Sequence, residues 1–145
     1  YYFATKDDLI TEVLTAMGVQ LQETLAPAFA TLAADHTDLL RAAWPILAQP
    51  SADPLFALFF EASGLAATGR APYRTVVPAL IDAWIAWAAE FVDGDDERRR
   101  SEAEAAIAVV DGLLLLRQLA GPDTAQRAAV QLGIARISGG VSGAE

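Results

Sequence analysis

Ala103-Glu104-Ala105-Ala106-Ile107-Ala108-Val109-Val110-Asp111-Gly112-Leu113-Leu114-Leu115-Leu116 decides how this chain must fold. Only Glu104, Asp111 and Gly112 interrupt the apolar run, so nearly every side of a helix formed here is hydrophobic. A helix that packs on one core needs a single apolar stripe, whereas a helix apolar all round is buried on more than one side. In a chain of 145 residues, enough for one domain and one core, the second side is read as another subunit. The helix is expected over 96–120, with Gly121-Pro122 as its stop.

Working outward, Asp123 or Thr124 opens a sixth helix to about residue 137. Ala125, Ala129 and Gly133 form a small-residue row in it, and Val130, Ile134 and Ile137 an apolar one; 139–145 reads as a frayed tail. On the other side, the polar segment Asp93-Gly94-Asp95-Asp96-Glu97-Arg98-Arg99-Arg100 does not meet the pattern of a calcium loop and reads as a solvated connection. Its arginine triplet, set among acids, reads as a solvated face.

Four helices precede it. The first spans 6–33, with Leu9, Val13, Met17, Leu21 and Leu25 in one row, Ile10 and Leu14 beside it, and Pro27 bending or dividing it. The second spans 37–48 behind the capping turn Asp35-His36-Thr37-Asp38 and carries Leu39, Leu40, Ala43, Trp44 and Leu47. Asp53, as N-cap, and Pro54 begin a third, reaching 68, with Leu55, Phe56, Phe59, Phe60 and Leu65. A fourth follows Gly69-Arg70-Ala71-Pro72 and runs to 92, kinked near Pro78, with Val77, Leu80, Ile81, Trp84, Ile85, Ala88 and Phe91 on a broad face. Six helices without a strand or an internal repeat define an all-α bundle.

Composition narrows the chemistry. Ten Lys plus Arg against nineteen Asp plus Glu give a net charge of −9, so the chain lacks the basic surface that neutralises phosphates and is a poor DNA binder by itself. The absence of cysteine excludes disulfides, thiolate zinc sites and thiol catalysis and is compatible with a reducing cytoplasm, the expected location. No apolar run reaches the roughly 20 residues that span a bilayer, and no membrane partner is expected. His36 is the one histidine; it sits in an acidic turn, is expected to face solvent, and has no catalytic partner motif. With no metal site, no phosphate loop and no cofactor motif, an enzyme is not expected.

The first residues, Tyr1-Tyr2-Phe3-Ala4-Thr5-Lys6-Asp7-Asp8-Leu9, read as the end of one helix, a corner, and a second helix capped by Thr5, with Asp8 placed for a capping box. Tyr2, Phe3, Thr5, Lys6 and Leu9 resemble, position by position, the junction in TetR-family transcription regulators at which the recognition helix of a helix-turn-helix ends. The helix order, Phe59-Phe60-Glu61, Arg70-Ala71-Pro72-Tyr73 and Val110-Asp111-Gly112-Leu113 are similar to the C-terminal domain of that family.

The resemblance implies that 1–5 are the remnant of a DNA-binding domain and 6–145 an effector-binding and dimerisation domain. Tyr2 and Lys6 are then the phosphate-contacting positions, operator DNA being held by a domain that precedes Tyr1. It also implies a homodimer whose last two long helices form a four-helix interface, here through Val109, Leu113, Leu116, Ala129, Leu132 and Gly133. The function implied is that of a repressor released by a small molecule held among the helices.

An apolar cavity with a few placed polar groups is what such a ligand needs. Trp44, Phe59, Trp84, Met17 and Leu115 are candidates for its walls, and Gln20, Glu61 and Asp111 for its polar groups, which suits an apolar or aromatic effector. For Glu61 and Asp111 a structural partner such as Arg117, Arg74 or a tyrosine is the favoured role, ahead of a ligand contact. The rival to this reading is a helical protein-interaction module that takes no small molecule.

Overall fold

Thr5 starts the first helix as its type dictates: its hydroxyl accepts the Asp8 N–H at 3.1 Å, and α1 runs Lys6–Leu25. The structure, a computed structural model, describes residues 5–137; Tyr2 and the tail 139–145 lie outside the described residues. Five more helices follow: α2 His36–Leu47, α3 Asp53–Ala67, α4 Tyr73–Ala89, α5 Asp96–Ala120 and α6 Pro122–Gln131. The described residues form no strand, and the fold is an all-α bundle of six helices.

Several boundaries differ from the expectation, each for a local reason. The first helix stops at Leu25, short of 33, because Pro27 enters a 3-10 turn, Ala26–Ala28. Beyond it Ala33 is extended: its N–H donates to the Phe91 carbonyl at 2.8 Å and its carbonyl accepts from Asp93 at 2.9 Å, which also draws the end of α4 into a turn. Asp53 is not an N-cap. It is the first residue of α3, behind the 3-10 turn Pro50–Ala52, and its carboxylate is gripped by Arg117 at 2.8 and 3.2 Å.

The last helix is also shorter than expected. Gly133, read as part of a helical row, has a φ of 75° and ends α6; the Gly133 N–H reaches Val130 and the Ile134 N–H reaches back to Ala129, a Schellman stop. Neither Asp123 nor Thr124 caps this helix, which begins directly at Pro122.

The buried face of α1 is displaced from the expected row. Leu14, Gly18 and Leu25 are buried, while Leu9 and Val13 are exposed. Stepping four residues along a helix of 3.6 residues per turn rotates the position by about 40°, so a row extended from Leu9 to Leu25 wraps well around the helix and cannot lie on one face.

Two core clusters result. The larger joins α2, α5 and α6 around Leu40, Trp44, Ala103, Leu114, Ala125 and Ala129, where alanines let α5 and α6 approach closely. The smaller joins α1, α3 and α4 around Leu14, Ala62, Tyr73 and Val77. The arginine triplet lies largely at the surface, as expected, with Arg98 and Arg100 exposed, and two of its members also tie to other elements. Arg100 reaches Asp82 of α4 at 2.7 Å, and Arg98 donates to the Ala34 carbonyl.

Candidate functional site

Between the two clusters the packing leaves a cavity of about 100 Å³. Residues from α1 through α5 wall it: Leu14, Gly18, Leu21 and Leu25 from α1; Leu39, Leu40, Ala43 and Leu47 from α2; Leu55, Phe56 and Phe59 from α3. Helix α4 supplies Leu80, Ile81, Trp84, Trp87 and Ala88, and α5 supplies Ala106, Ile107, Val110, Asp111 and Leu114. Two of these wall rings pack on each other: Trp84 and Trp87 meet edge to face at 5.4 Å, and Trp87 meets Phe91, just beyond α4, at 4.9 Å.

Asp111 is the single charged residue in this wall. Among the described residues its carboxylate makes no hydrogen bond and no ion pair, and burial pushes its pKa up to about 6. The expected alternative partner on the same helix, Arg117, is committed to Asp53. Three expected ligand residues, Phe59, Trp84 and Asp111, therefore meet around one cavity.

The other expected ligand residues lie elsewhere. Trp44 is buried in the larger cluster, with its indole N–H donated to Gln126 at 3.0 Å. Met17 is half-buried without lining the cavity, and Gln20 and Glu61 are exposed. Leu115 is 41% exposed on the outside of α5. Sequence reasoning passed over Gly18 and Ile107. Gly18 carries α1 past Trp84, since a Cβ built there lies 3.4 Å from the indole nitrogen. A glycine within an apolar helical pattern, costing about 1 kcal/mol against alanine, is the signal that marked it.

The outer face of α5 bears on the subunit expectation. Ala105, Ala108, Gly112, Leu115 and Leu119 follow the alternating three- and four-residue spacing of a helix-pairing seam, and Leu119 is 78% exposed. Val109 and Leu116 flank this seam half-buried, and Leu132 and Gly133 are exposed beyond α6. Leu113 and Ala129 are not interface residues: both are buried in the chain's own core, the former one position off the outward row. The sixth helix, ten residues long, is not a long helix.

His36 is not simply in solvent. Its backbone N–H and its ring Nδ1 both lie 2.7 Å from Glu102 Oε2, which lets α5 cap the start of α2; these bonds hold the Glu102 carboxyl below its usual range. Lys6 is exposed at the start of α1. No group of three His, Asp or Glu that suits a metal ion exists among the described residues, and no described helix is long and apolar enough to cross a membrane. Comparison of the chain with protein-family models, with curated proteins and with solved structures returns no match.

Proposed function

We propose that this chain is the sensing and dimerising part of a ligand-responsive transcription regulator of TetR type, most simply a repressor. One observation carries the reading. Helix α1 is a wall of an apolar cavity through Leu14, Gly18, Leu21 and Leu25, and its first turn directly follows the residues that resemble the family's DNA-binding junction. A helix of 20 residues is about 30 Å long, so displacement of its cavity wall is delivered to Thr5. In a dimer that displacement changes the spacing of two recognition helices, and half-site spacing is set by the DNA helix.

The dimer in this reading pairs the α5 seam and α6 with their counterparts as a four-helix interface, and the effector is small and apolar or aromatic. The rival interaction module draws support from the small volume, since typical ligand pockets hold about 300 Å³ or more. A void on the order of 150 Å³ does take up benzene, however, and α1 is the most lightly packed long helix, so the wall can retreat.

Light scattering on the purified chain tests the assembly: a dimer is expected at about 10 μM, within the micromolar range of modest interfaces. Leu119→Glu is expected to give a monomer of unchanged helix content; a monomeric parent chain overturns the dimer. Selection of random duplex DNA by the full-length protein tests the regulator. It is expected to return a palindromic site, and recovery of no site overturns that part.

A further inference from the structure

The cavity wall contains one feature that an apolar effector leaves without a purpose. Asp111 is the only charged side chain contributed by any of the five helices around the void, and no donor among the described residues meets it. Of the cations on α5, Arg117 is engaged with Asp53 at 2.8 Å and Arg100 with Asp82 at 2.7 Å, and Arg98 and Arg99 lie about three turns along the helix from Asp111. A carboxylate half-buried among leucines and indoles has no protein partner among the described residues, and an ammonium entering the cavity would supply the ion pair that solvent alone replaces only in part.

We infer that the cavity takes a small organic cation, a protonated amine on a short hydrocarbon or aromatic body, with its ammonium on Asp111 and its body against Trp84, Phe59 and the leucines. The inference rests on the ligand-sensing reading above and sharpens it, since a purely apolar effector satisfies the leucines and strands the carboxylate. Chemistry favours the pairing on three counts. An ammonium–carboxylate hydrogen bond is about twice as strong as a neutral one, and dry walls strengthen it further. Indole faces attract cations. Repulsion and desolvation together exclude an organic anion from the same space.

The test uses butylamine, butanol and butyrate, which share one body and differ in charge. Titration is followed by calorimetry and by the fluorescence of Trp84 and Trp87, both of which line the void. At neutral pH butylamine is expected to bind at least about tenfold more tightly than butanol, the margin of a charge-assisted contact, and butyrate not at all. Asp111→Asn is expected to remove that margin while leaving butanol within about twofold, because the apolar walls are unchanged. Lowering the pH to about 5 protonates Asp111, whose pKa is about 6, and is expected to weaken butylamine binding while sparing butanol.

Equal affinity for amine and alcohol overturns the inference and leaves the sensing reading standing. An amine preference that survives Asp111→Asn also overturns it, by placing the cation elsewhere. Failure of every probe to bind overturns both.

Discussion

Helices α1 and α2 wall the same cavity, but they are held in unlike ways. The shorter, α2, buries five of its 12 residues and is cross-tied along its whole length. His36 meets Glu102, Arg41 Nε donates to the Gly133 carbonyl at 2.8 Å, and Trp44 donates to Gln126 at 3.0 Å. The longer, α1, buries three of 20 residues, and the hydroxyls of Thr11, Thr15 and Thr24 bond only its own backbone. Among the described residues its polar tie to another helix region is at the first turn, where Asp7 accepts from Tyr73 at 2.7 Å and from Arg70 at 3.3 Å. Local stability follows buried contacts and cross-ties, not helix length, so α2 is the more firmly held wall and α1 the one expected to open more readily.

The sharpest way to break this contrast is to truncate one buried side chain on each helix. Trp44→Ala is expected to cost about 3–5 kcal/mol, because it opens a cavity in the closed cluster and also leaves Gln126 without its donor. Leu14→Ala is expected to cost about 2–3 kcal/mol, toward the low end for such a change, because α1 can settle toward a void that already exists. Urea denaturation measures both. A cost for Leu14→Ala equal to that of Trp44→Ala would mean that α1 is as firmly seated as α2.

Two acids on α5 extend the comparison to electrostatics, with opposite signs. Burial raises the pKa of Asp111 to about 6, so the folded state binds its proton more tightly than the unfolded state. Stability from this group is therefore present at low pH and is lost as the pH rises through about 6. Asp111→Asn is expected to stabilise the protein by roughly 2 kcal/mol at neutral pH, discounted from the ~3 of a two-unit shift because the side chain is only half-buried, and to do nothing below about pH 4.

Glu102, held low by the bonds from His36, contributes stability above its ordinary carboxylate range that is lost as the pH falls through its lower folded value. Glu102→Gln is expected to destabilise by about 1 kcal/mol at neutral pH, by weakening the charge-assisted cap on α2. Thermal melts of both variants across pH check the signs; two curves of the same sign would show that the cavity wall and the α2 anchor are electrostatically alike.

Much of this architecture was legible in the sequence, because it is written in local chemistry. Thr5 and the Asp35 turn cap helices since a short polar side chain can reach the next turn's N–H, and Gly121-Pro122 separates α5 from α6; the Asp95 cap of α5 was passed over inside a charged stretch. What could not be read depends on which face meets which neighbour. An apolar run such as 113–116 carries no phase, so Leu113 and Leu115 look alike in sequence although one is buried and the other exposed. Trp44 and Trp84 were likewise indistinguishable as wall residues, since Gln126, which claims the first, is 82 positions away. Asp111 stood out for the converse reason: a carboxylate inside an apolar run signals expense wherever the run packs.

The smallest effect tests the tether of α1 most directly. Tyr73 is 1% exposed, and its hydroxyl donates to Asp7, whose carboxylate, together with burial, lifts the phenol pKa above its usual value. Tyr73→Phe keeps the ring that packs with Leu14, Ala62 and Val77 and removes only that bond, leaving Asp7 with Arg70. The global cost is expected to be about 1 kcal/mol or less, because Asp7 can turn to water. Locally the effect is larger in kind. With its cross-tie weakened, the first half of α1 opens independently, and amide hydrogen exchange is expected to accelerate over about residues 9–16, where the amides lie beyond the first turn, while α2 exchange stays unchanged. Acceleration spread equally over α1 and α2 would mean that the two walls open as one unit, and a ligand could then not move α1 without unfolding what holds it.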